Sequence, residues 1–161
     1  MVGEAAYSQY KVDQARHYLN AVADARRHIV ALQRQADELR EIAEGIRGMA
    51  YDVDRITTTP YADAIPDAVA DLDELSRRAK ESAAEYSEMV DTCSTALASL
   101  GGWQADLLRL RYLCGMTLTE IGELPEWSHD RKYMSVLHIQ ALDKFYEHMP
   151  HTWRDPRPSA I

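Results

Sequence analysis

The chain has 161 residues, enough for one domain or for one small domain plus a long helical element, and its 46% hydrophobic and 27% charged residues are ordinary for a folded soluble protein. The net charge of −8 argues against a protein coated in nucleic acid, and the two cysteines, Cys93 and Cys114, form neither a CxxC pair nor a disulfide framework, which points to a reducing cytoplasm. The longest uncharged run near the middle, residues 92–105, is too short and polar to cross a membrane, and MVGEAAYSQYKVDQ lacks the regions of a signal peptide, so no membrane is expected.

Only 7 Gly and 6 Pro punctuate the chain, and Ala, Leu, Glu and Arg are plentiful, which predicts long helices. Residues 1–9 read as a disordered leader. A first helix is expected over about residues 10–50. Its stripe is Val12, Ala15, Leu19, Val22, then Ile29, Leu32, Ala36, Leu39, Ala43, Ile46 and Ala50, mostly at alternating three- and four-residue steps and interrupted by Arg26. Residues 51–65, with three consecutive Thr before Pro60, read as a connection. A second helix over 66–100 carries Val69, Leu72, Ser76, Ala79, Ala83, Tyr86, Val90, Cys93, Leu97 and Leu100 in unbroken three–four alternation.

Two such helices can fold back as an antiparallel, coiled-coil-like hairpin, either closed on itself or open to a second copy as a dimer. Charge is concentrated here: residues 51–100 hold 4 basic and 11 acidic side chains. Asp71, Asp73, Glu74, Glu81, Glu85 and Glu88 read as a solvated face, with an acidic docking surface as the alternative.

Gly101-Gly102 marks a boundary, and the pattern beyond it shortens. A helix is expected over 103–113, ending at Gly115. A second begins at Thr117, with Glu120 completing a capping box, and stops before Pro125. A third runs from about Asp130 to Glu147 with Met134, Leu137, Ala141, Leu142 and Phe145 inward. Residues 149–161 hold three Pro and read as an extended tail. Trp103 and Trp127 are expected to anchor the hairpin to this module, and both cysteines to be inert core thiols.

A short helix, a turn and a longer helix behind a supporting helix make a helix-turn-helix, expected as a domain over 101–148. The exposed start of its last helix would present Arg131, Lys132 and Ser135, with His129 just before, Tyr133 at the rim, and Thr117 and His138 near phosphates. Adjacent cations beside short hydrogen-bonding side chains suit the phosphates and base edges of double-stranded DNA.

LLRLRYLCGMTLTEIGEL followed by a loop and DRKYMSVLHIQALDKF resembles region 4 of sigma-70-type factors. The layout from about residue 11 to 148 is similar to the ArpU/RinA-type late transcription regulators of phages and prophages, and to related short phage proteins of unknown function. The resemblance implies transcription control. It also brings a departure. Family members open the recognition helix with Ser about eight residues before the position of His138. Here Asp130 fills that slot and Ser128 lies two residues earlier, so either the turn is longer or Ser128 starts the helix.

The six His (His17, His28, His129, His138, His148 and His151) form no HExxH, so neither a metal nor another cofactor is expected. No phosphate loop or nucleophile elbow appears, and no enzyme is expected. The expectation is therefore an all-α chain, a hairpin followed by a helix-turn-helix, acting as a cytoplasmic, sequence-specific DNA-binding regulator. The alternatives are a module docking on RNA polymerase or a sigma factor, and a small terminase-like DNA-binding subunit of a phage.

Overall fold

The computed structural model describes residues 3–53 and 64–154, and the described residues are all-α, as the periodicity predicts. Helix α1 spans Glu4–Val53 and α2 spans Ala64–Leu100. Then come α3 (Gly102–Leu108), a π-helical turn (Arg109–Leu113), α4 (Leu118–Glu123), α5 (Arg131–Phe145) and a 3-10 turn at His151–Trp153. Most of the expected connection, including Thr57–Thr59 and Pro60, lies outside the described residues. Among the described residues no helix is long and apolar enough to cross a membrane.

The chain divides into two compact units, Met1–Arg26 with Glu88–Ile161, and Arg27–Ser87. The second unit is an antiparallel helix pair. Its cross-helix contacts link residue 28 to 86, 36 to 76 and 47 to 73, rising on one helix as they fall on the other. The buried seam is made of small side chains: Ala36 and Ala43 from α1, with Val69, Ser76, Ala79 and Ala83 from α2. Small residues bring the two backbones close. The Ser76 hydroxyl consequently reaches across and donates to the Ala36 carbonyl at 3.1 Å.

The first unit holds the larger core. Tyr18, Leu19 and Val22 of α1 and Cys93 and Leu97 of α2 pack in one cluster with Leu107, Leu108, Tyr112, Ile121, Met134, Leu142 and Phe145. The hydrophobic core thus crosses the boundary expected at Gly101-Gly102. Those two glycines do break the chain: φ is 66° and 67°, a left-handed conformation that costs glycine little.

The described residues of both expected loose ends are ordered. The leader assigned to residues 1–9 is helical from Glu4, because side chains of residues 8–11 find partners. Ser8 donates to Asp143 at 3.1 Å, Lys11 pairs with the same carboxylate at 3.1 Å, and Tyr10 meets Tyr146 edge-on. The tail assigned to 149–161 is also anchored over its first residues. Met149 is buried, and Trp153 lies edge-on to Tyr18 with ring centroids 5.3 Å apart. Arg154 donates to the carbonyls of Glu147 and Met149, both at 2.8 Å. Residues 155–161 lie outside the described residues.

Candidate nucleic-acid interface

The segment around α4 and α5 is held by local hydrogen bonds that the sequence dictates. Thr117 Oγ1 accepts from the Glu120 N–H at 3.2 Å, and the Glu120 carboxylate accepts from the Thr117 N–H at 2.7 Å. This is the capping box expected from Thr-x-x-Glu. The turn closes when the His129 N–H donates to the Gly122 carbonyl at 3.0 Å. A Cβ on Gly122 would collide with the His129 carbonyl, so this close approach requires glycine.

The structure decides between the two expected starts of α5. Ser128 sits in the turn with φ 49°, and Asp130 is the N-cap, its carboxylate accepting from the Tyr133 N–H at 2.8 Å. Asp caps as well as the Ser of the resembled family. Its negative charge sits at the positive end of the helix, which offsets part of the repulsion it would exert on a phosphate.

Arg131, Lys132 and Tyr133 are exposed, as expected, and among the described residues neither Arg131 nor Lys132 forms an ion pair. His129 is exposed and packs edge-on against Tyr133, ring centroids 4.5 Å apart. The Ser135 hydroxyl donates back to the Arg131 carbonyl at 3.0 Å, which turns its proton away from solvent. Thr117 is exposed, with its oxygen already engaged by the cap.

His138 is a correction. It is 8% exposed, and its Nε2 lies 2.8 Å from the buried Tyr112 hydroxyl, so it cannot meet a phosphate. Position 138 follows Met134 by four residues and precedes Ala141 by three, which puts it on the inward stripe. Burial, reinforced by Arg16 and Arg111, pulls its pKa down to about 4, so the ring is neutral near pH 7. The Tyr112 hydroxyl is pushed up by the same burial.

Sequence reasoning missed the outer face of α5. Val136 and Ile139 are 47% and 48% exposed, and Gln140 beside them is exposed as well. They share a face with Lys132 by their four- and three-residue spacing. The same periodicity that singles out the inward stripe leaves these positions outside it, so a reading of both faces would have found them.

Two further expectations change. Trp103 and Trp127 pair with each other edge-on, centroids 6.4 Å apart, and with Leu110 and Leu124 they wall a hollow of about 670 Å³. Cys93 is buried, and burial pushes its thiol up to about 12, an inert group. Cys114 is exposed on the rim of the tryptophan hollow, because the π-helical turn ends at Leu113 and Gly115 reverses the chain at φ 73°.

Among the described residues no group of three or more His, Cys, Asp or Glu side chains could hold a metal ion. Compared with known protein families, with curated proteins and with solved structures, the chain finds no match in any of the three.

Proposed function

We propose that this protein is a sequence-specific DNA-binding regulator of transcription that lays the N-terminal part of α5 in the major groove. The observation that carries the reading is the exposed, capped start of α5. It presents Arg131 and Lys132, which form no ion pair among the described residues, on a helix whose opposite side is locked into the core. A rigid helix with cations at its N-terminal end can position on phosphates while neighbouring side chains reach base edges. The resemblance of residues 107–145 to region 4 of sigma-70-type factors, and of the layout to phage and prophage late regulators, supports the same reading. A dimer through the helical region would supply two half-sites and strengthen a weak single module.

The test is binding to the protein's own upstream genomic DNA at low and near-physiological salt, against random competitor. Retained, competitor-resistant binding is expected. Arg131→Ala with Lys132→Ala should weaken it and reduce its salt slope by about 2, since each of the two cations neutralises one phosphate. Unchanged affinity in the double variant would show that α5 is not the DNA face.

The near-neutral balance of residues 101–161, 7 basic against 8 acidic side chains, favours a second reading in which the module docks on RNA polymerase. Binding that vanishes with modest salt or competitor would favour it.

A further inference from the structure

Resting on the DNA-binding reading, we infer that Val136 and Ile139 make the protein selective for A·T base pairs by packing against thymine methyl groups. Both side chains are branched, apolar and nearly half exposed. They lie one and two turns beyond Lys132 on the same outer face of α5, opposite the buried Met134, His138 and Ala141. An aliphatic side chain has no hydrogen bond to offer a base edge. The feature of the major groove that it complements is the 5-methyl of thymine. Gln140, exposed one turn after Val136, carries the amide that suits the N6 and N7 of an adenine.

Charge selects a duplex as the occupant over an apolar protein surface. Arg131 and Lys132 open the helix without ion pairs among the described residues. Two carboxylates of this segment are engaged: Asp130 caps the helix, and Asp143 is held by Ser8 and Lys11. That second contact brings the start of α1 against the far end of the face. The face is exposed at Arg131, Lys132, Val136, Ile139 and Gln140, the stretch a recognition helix presents to bases.

The experiment is a selection of duplexes from a random library by the full chain, followed by site-by-site replacement of thymine with deoxyuridine in the enriched sequence. The selected site should hold a short A·T core. Removing a thymine methyl that the helix touches should weaken binding about fourfold. Val136→Ala and Ile139→Ala should each weaken binding to the thymine duplex and erase the thymine–uracil difference at one position. Arg131→Ala should weaken both duplexes equally. Both apolar substitutions are on the surface, and a circular dichroism melt confirms that they fold. Enriched duplexes that bind equally with thymine or uracil would overturn the inference and leave the DNA reading standing. No enrichment of any duplex would overturn both, and capture of RNA polymerase through the same face would then identify a protein surface.

Discussion

His138 shows how one residue can carry the chemistry of a functional site and serve packing instead. Its folded pKa of about 4 lies below the ordinary value of 6.5. Between those values the unfolded chain binds a proton that the folded chain does not, so stability falls as pH drops through that window. The loss from this group approaches about 3 kcal/mol at the acid end. Urea midpoints measured from pH 7 down to pH 4.5 should fall, and the double variant Tyr112→Phe with His138→Leu should flatten that part of the slope. An equally steep slope in the double variant would assign the pH dependence to other groups. Gly122 makes a second prediction at this scale. Gly122→Ala drives a methyl into the His129 carbonyl and crowds Met134, so it should cost about 2 kcal/mol despite the better helix propensity of Ala.

Among the elements, α5 depends on its cap, and the cap can be separated from the charge. Asp130→Ala removes the acceptor of the Tyr133 N–H and should cost about 1 kcal/mol in thermal or chemical denaturation. Asp130→Asn keeps an acceptor and removes a negative charge from the proposed DNA face. It should leave stability almost unchanged and tighten duplex binding a few-fold, more at low salt. Equal affinity of Asp130→Asn and the parent at low salt would place the phosphates away from this end of α5. The helix pair of residues 27–87 makes a different expectation. Its buried seam is mostly alanine, so it removes little apolar area from water per residue. Amide hydrogen exchange should be faster at residues 27–48 and 67–87 than at the buried positions of α3 to α5. Matching protection in both regions would mean that a second copy covers the helix pair.

For the whole molecule, residues 101–148 share their core with α1 and α2. Phe145 stacks on Tyr18, and Leu107, Leu108 and Leu142 share their cluster with Leu19, Val22 and Leu97. A fragment of residues 101–148 should therefore show poor dispersion in an NMR spectrum and no cooperative melt, whereas the full chain melts cooperatively. Truncation after residue 148 removes Met149 and Trp153 from the same core and should lower stability by about 3 kcal/mol. A well-dispersed spectrum from the isolated fragment would show that α1 and α2 are dispensable for this fold.

Sequence alone determined the all-α class, the two long helices, the capping box at Thr117 and the inward stripe of α5, because periodicity and caps are local and repeat along the chain. It also placed Arg131, Lys132 and Tyr133 outside, since each follows from its distance to Met134. What it misjudged depended on partners far away in the chain. The start of α1 and residues 149–154 are packed because Asp143, Tyr146 and Tyr18 are there to receive them. The spacing of His138 from Met134 and Ala141 already placed it inward, but only the fold shows that Tyr112, 26 residues earlier, meets its ring nitrogen there. Cys114 reached the surface through a π-helical turn that no spacing rule announces. Local pattern specifies which face of a helix is apolar, but only the packed core decides what covers that face.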